Sequence, residues 1–477
     1  MTVFGHSFRK SIMKRILSLS VLCVCISSAF AQEDKPITIK LTVRPAQPPT
    51  PALKALLMPE LPEMTSGNAL TKYYKAFSTE WWGNIQRQDA KWYERRDAAQ
   101  EAPLNKMPTE FEFVKGWKML QEVDEGARRD HCDWEMLPIL KRDGFMTLMP
   151  DVQSMRNIAS FLALRARYEL ADGDIDKALY TLQTGFAMAK HLSEGPTLIY
   201  LLVGVAVSQV MAKQLDELIQ HPKAPNLYWA LARLPRPFST LARPLQGEEI
   251  AMMNFLPEYD DLRKGPIPLE QAQIILDRFI QRCQLFGADG SNRYVFTVQA
   301  LATYPKAKAA LIAAGRPPEE VEAMPVPQVF LLHTMQQFLE ARDDLFKWMV
   351  LPFSEGQAGV RQAERQFKTR FEQGASLNVL LQLLPAVQKV YDANLRCDRR
   401  LAILRAVEAV RLYAANHDGQ LPNGWNDITE VPVALDPATD KPFEYTVKNN
   451  HVTILAPKAP GTSASNTAFL YELTFTR

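Results

Sequence analysis

The stretch that most restricts what this chain can become is 151–192. Val152, Met155, Ile158, Ala159, Leu162, Ala163, Ala166 and Leu170 recur at helical spacing and draw one apolar stripe, a pattern that a strand with its period of two cannot use. Asp172-Gly173-Asp174 breaks the stripe, and a second amphipathic helix is expected from about 175 to 191. The run 198–212 is the most apolar of the chain after its N-terminal segment, with Ser208 and Gln209 inside it. At 15 residues it is shorter than the roughly 20 a bilayer span needs, so it reads as a central helix buried on most sides. Helical signals dominate from 67 to 395, with proline-rich corners at 235–268 and 317–327. The expected class is therefore mainly α, irregular stacked helical hairpins with a small α+β domain at the C-terminal end.

Small residues support the hairpin reading. Ala166 lies seven positions before Gly173, and Ala178, Leu182 and Gly185 lie five, nine and twelve after it. This segment resembles a tetratricopeptide-type hairpin, in which small side chains let two helices pack closely and large ones fill the gap between units. The resemblance covers about 34 of 477 residues and implies a stack with binding grooves. Neither flank carries a clean copy; the helix at about 197–220 runs into His221-Pro222-Lys223 at the wrong spacing.

The N-terminal end reads as an export signal. Arg9, Lys10, Lys14 and Arg15 precede an apolar stretch at 16–26, and Ala29-Phe30-Ala31 offers a small-x-small cleavage site before Gln32. Met13 is an alternative start, since Met13-Lys14-Arg15 already opens a complete signal. Neither Cys23 nor Cys25 follows the small residues of a lipoprotein signal, so release without a lipid anchor is expected, with no transmembrane segment left after cleavage. Residues 1–31 carry four cations and no acid, so the full chain's formal +2 becomes −2, with 51 basic against 53 acidic residues. That balance gives no reason to expect nucleic acid as a partner. Of five cysteines, Cys132, Cys283 and Cys397 remain; they allow one bridge at most, or burial as small apolar residues.

Residues 37–43 alternate apolar and polar side chains as a half-buried strand, after which Pro45, Pro48, Pro49 and Pro51 form an extended tether. The expected divisions are 1–31 signal, 32–66 strand and tether, 67–395 helical domain and 396–477 α+β domain. In the last, a helix ends at Asn416-His417-Asp418-Gly419, 443–447 and 451–456 form a β-hairpin, and 468–476 is a third strand. A helix, the turn Gly419-Gln420-Leu421-Pro422, and a small sheet entered by Asp436-Pro437 follow one another over about 60 residues. This order is similar to the C-terminal half of type II secretion pseudopilins, although the N-terminus lacks their hydrophobic assembly helix. The whole chain also resembles a group of long, exported, largely helical proteins of planctomycete-type bacteria. Segments carrying that likeness include Pro59-Glu60-Leu61, Leu182-Gln183-Thr184-Gly185-Phe186-Ala187, Glu194-Gly195-Pro196-Thr197 and 225–231. It implies export and assigns no activity.

Several residue sets have the composition of metal sites. His131, Cys132, Asp133 and Glu135 are the densest, with the competing reading of a partly exposed helix surface. Asp172, Asp174 and Asp176 alternate as in a calcium loop, but Lys177 and Gln183 stand where an EF-hand needs glycine and glutamate, so helix capping competes. His417-Asp418 resembles the pair of metal-dependent phosphohydrolases, with a helix-ending turn as the alternative. Asp436 and Asp440 correspond loosely to a loop that binds calcium in some pseudopilins; turn formation at Asp-Pro is the default reading. The chain has no Gly-x-Ser-x-Gly elbow, phosphate loop or dinucleotide fingerprint. No catalytic residue or bound cofactor is expected; the ions these sets would suit are zinc at 131–135 and calcium at the aspartate loops.

The reading that follows is an exported, soluble helical scaffold of the periplasm or exterior that engages a protein partner in the envelope. Two alternatives remain: a hydrolase of envelope polymers or peptides, and a subunit of an envelope secretion or surface-assembly apparatus.

Overall fold

The computed structural model describes residues 35–78, 83–85, 87–88, 90–285, 293–372, 378, 380–381, 384–462 and 467–476. The segment read as an export signal lies outside the described residues, as do Trp81 and Trp82, which with Tyr73, Tyr74 and Phe77 are expected from the sequence to form an aromatic patch packed in the core.

Strand β1 (Ile37–Val43) is the first element of the described residues, and β2 (Thr65–Asn68) pairs with β3 (Arg129–His131). Between and after these run helices α1 (Ala69–Phe77), α2 (Ala90–Glu101), α3 (Lys118–Ala127) and α4 (Leu137–Asp143). The expected hairpin is α5 (Pro150–Ala171) and α6 (Ile175–Ser193), followed by α7 (Leu198–Ile219). Short α8 (Tyr228–Ala232) leads to α9 (Ala242–Met253) and α10 (Tyr259–Leu262). Then come α11 (Leu269–Leu285), α12 (Arg293–Ala313), α13 (Pro318–Ala323), α14 (Val326–Met349) and α15 (Phe353–Glu372). Finally α16 (Leu384–Asn416) delivers the chain to β4 (Leu435–Asp436), β5 (Lys441–Pro442), β6 (Glu444–Lys448), β7 (His451–Ala456) and β8 (Phe469–Phe475). The protein is mainly α with a small C-terminal α+β region.

The turn between α5 and α6 is set by backbone geometry. Gly173 has φ +74°, its N–H reaches the Leu170 carbonyl at 3.0 Å, and the Asp174 N–H reaches Glu169 at 2.9 Å. These paired bonds close a helix end through a left-handed residue, the conformation glycine adopts without a Cβ penalty. α6 and α7 then pack so closely that a Cβ on Gly204 would lie 2.6 Å from both the Ala189 carbonyl oxygen and the Ser193 nitrogen. α7 has the length and apolarity of a membrane span, but 67% of that window is buried inside the fold. It is the helix around which α5, α6, α9 and α16 pack.

Two placements differ from the sequence-based divisions. β1 is no free-standing prelude to a tether: it pairs in parallel with β8, from Ile37 beside Phe469 to Val43 beside Phe475, completing a sheet of order β1-β8-β7-β6. Val43 and Leu41 point into the core, and the tether is held down as well, with the Arg411 guanidinium donating to the Arg44 carbonyl (2.9 Å) and the Asn226 N–H to that of Gln47 (2.9 Å). The expected boundary at 395/396 falls inside one continuous helix. α16 carries Leu384, Val387, Val390 and Tyr391 in one hydrophobic core, formed mostly by 241–391, and Cys397 to Ala414 in another that joins the α1–α8 region to the sheet. The packing divides along this helix, and α16 belongs to both halves.

Candidate functional site

The densest ligand set is pulled apart by its local structure. Residues 129–131 form a strand against β2, not the helix surface expected, and the alternation continues past it. His131, Asp133 and Glu135 face water while Cys132 and Trp134 turn inward. The Asn68 side chain accepts from the Asp133 N–H (3.0 Å) and donates to its carbonyl (2.9 Å), fixing this conformation. His131 Nδ1 meets Asp130 at 2.7 Å, and Asp133 accepts the Glu135 N–H at 2.9 Å, Glu135 itself having φ +55°. Cys132 is half-buried, and desolvation raises its thiol well above the ordinary range. All three described cysteines are free.

The other acids have partners of their own. Asp172 binds Lys115 (2.8 Å), Asp174 caps α6 at the Lys177 N–H (3.2 Å), and Asp176 lies 3.8 Å from Lys54. Asp436 is sealed from solvent and holds the Arg399 guanidinium at 2.9 and 2.6 Å while accepting the Ala438 N–H at 2.9 Å. Asp440 is exposed, with φ +53° at the turn. His417 lies tilted against Tyr413, ring centroids 3.9 Å apart, and Asp418, just past the end of α16, is in the left-handed conformation at φ +52°. Among the described residues no three His, Cys, Asp or Glu side chains converge as a metal would require.

What the sequence reading missed is how many charges lie inside. Arg165 grips Asp124 with two bonds of 2.9 and 2.7 Å and donates to Thr181, which donates to Glu169 at 2.6 Å. Burial pushes the Glu169 carboxyl up to about 7 against the pull of Thr181 and Arg165. Between α7, α16 and β8, Asp216 accepts from Arg400 (2.6 Å) and Tyr471 (3.2 Å). Glu408 binds Arg411 (2.6 Å) and the Leu227 N–H (2.8 Å). Two further acids meet single backbone donors: buried Glu248 accepts the Leu198 N–H at 2.9 Å, and half-buried Asp398 that of Phe238 at 2.8 Å. Burial raises both to about 7. The available signal was a charged residue at an apolar helical phase, as Arg165 and Glu169 are in α5.

Buried carboxylates with raised pKa values often mark active sites. Here each is bonded to protein groups and serves packing or capping. His191 is likewise committed: burial lowers it to about 4, and its Nδ1 lies 2.8 Å from the Tyr73 hydroxyl. Ser208 and Cys397 are 2.9 Å apart, but sealed between α7 and α16, with the thiol pushed up to about 12 by burial.

Concavities lie elsewhere. One of about 380 Å³ sits under the arm 56–62, beside Ala230 and the Arg233–Glu60 ion pair (2.6 Å). Another of about 340 Å³ opens between α14, α15 and α16. Among the described residues, the most exposed apolar feature is on α12, where Tyr294, Val298 and Leu301 are 83, 65 and 60% exposed. No protein-family model, curated protein or solved structure matches the chain.

Proposed function

We propose that this protein is an exported helical scaffold that engages a protein partner through the outer face of α12. The observation that carries this reading is the exposed stripe Tyr294, Val298, Leu301, spaced i, i+4, i+7 within 294–305, a stretch with no charged residue. A solvated helix face is normally punctuated by charges, whereas a contiguous apolar face gains free energy when a partner covers it. The opposite side of the same helix is anchored, with Phe296, Ala300, Ala307 and Leu311 buried and Phe296 edge-on to Phe330 of α14. The stripe is thus presented from a fixed support, and the i, i+4, i+7 spacing matches an amphipathic helix laid against it.

A crosslinked pull-down of the tagged mature protein from its native envelope, read by mass spectrometry, tests this. A stoichiometric partner that disappears with the exposed substitution Val298→Glu supports the scaffold. A partner indifferent to that change, or none, overturns it.

A further inference from the structure

The cavity between α14, α15 and α16 has the features of a ligand site. Its walls are apolar on three sides: Ala341 and Leu345 from α14, Ala363 and Phe367 from α15, and Leu384 from α16. One turn beyond Leu384, Gln388 lines the same space; it is only 8% exposed, and its amide makes no hydrogen bond among the described residues. The amide itself is not sealed from solvent, so it is free to pair with water or with a ligand in the cavity. At the rim stand Arg365 and Lys368, both exposed and neither in a salt bridge with a described residue. The acid in this lining, Glu364, is raised by burial, with Arg365 opposing the shift. The local balance therefore favours a negative ligand group at the mouth and an apolar body inside.

We infer that this cavity binds one molecule of an anionic amphiphile, a carboxylate carried on an unbranched apolar tail, with the head between Arg365 and Lys368 and the tail against Ala341, Leu345 and Leu384. At about 340 Å³ it lies at the small end of the range for ligand pockets, suited to a single chain and not to a folded partner. No residue of α12 lines the cavity, and the inference stands or falls independently of the protein-binding reading.

Titration calorimetry on the mature protein tests it with dodecanoate below its micellar concentration, beside dodecanol and dodecyltrimethylammonium. Dodecanoate is expected to bind at least tenfold more tightly than either, and each methylene removed from it to weaken binding about fourfold. Lys368→Glu, an exposed change, should weaken dodecanoate at least tenfold and leave dodecanol unaltered. Ala363→Trp, which fills the floor, should abolish uptake of both with an unchanged helical circular dichroism spectrum. Absence of binding, equal affinity for acid and alcohol, or indifference to Lys368→Glu would each overturn the assignment.

Discussion

Arg399 and Asp436 face each other through two charge-assisted hydrogen bonds, of 2.9 and 2.6 Å, with neither side chain reaching solvent. Arg399 also donates to the carbonyls of Thr467 and Pro457, so one guanidinium ties α16 to three segments of the C-terminal region. The aspartate that stood in the place of a calcium ligand is thereby used to hold an arginine. Removing it leaves a buried cation unpaired, which costs about 3–5 kcal/mol. Asp436→Ala is expected to lose that much stability in urea denaturation. The unmodified protein should melt at the same temperature in chelator and in millimolar calcium.

The buried acids predict the direction of the pH dependence. Glu248 and Asp398 each stand at about 7 in the folded protein, raised by burial against their backbone donors. The folded chain therefore holds protons that the unfolded chain has released. Their stabilising contribution is complete below the unfolded values near 4 and is lost as pH rises through about 7. Urea midpoints should fall from pH 5 to pH 8. Glu248→Gln keeps an acceptor for the Leu198 N–H and should flatten that decline.

The contact between α6 and α7 leaves no room for a side chain at Gly204. A methyl group there would press on the backbone of Ala189 and Ser193, which cannot move without shifting α6. Gly204→Ala is expected to destabilise the protein by about 1–3 kcal/mol, despite the better helix propensity of alanine. Chemical denaturation measures it, and a gain in stability would show the helices are less close than described.

Leu41 tests whether the first strand is part of the sheet. It is 5% exposed and belongs to the core shared with β7 and β8. Leu41→Ala should cost about 2–5 kcal/mol. A strand that served only as a tether would tolerate the change, and denaturation curves separate the two outcomes.

What could be read in advance follows the range of the interactions involved. The apolar repeat at 151–192 and the apolar run at 198–212 are local, and α5, α6 and α7 lie where they place them; the hairpin expected of 443–447 and 451–456 turns at Asn449, φ +56°. Residues 37–43 were legible as a strand because alternation is also local, but nothing in them points to 469–475 as partner. The same holds for α16. Nothing local shows that the helix runs through the expected division at 395/396, or that Asp436 and Asp216 supply partners for Arg399 and Arg400. Acids with ligand-like spacing were visible at 131–135, yet convergence is a tertiary property, and Asn68 settles their backbone otherwise. The cavity above Gln388 is walled by three helices and leaves no signature in any one of them.

The parallel pairing of β1 with β8 also sets a timetable. Ile37 and Phe469 are 432 positions apart in sequence. At 5–20 residues per second, a ribosome finishes the second roughly 20–90 s after the first. Through that interval the earliest-made strand has no neighbour, and its row of peptide groups is open to any chain that meets it. Assembly of the sheet is a last act: the beginning of the chain waits unpaired until its end has been made.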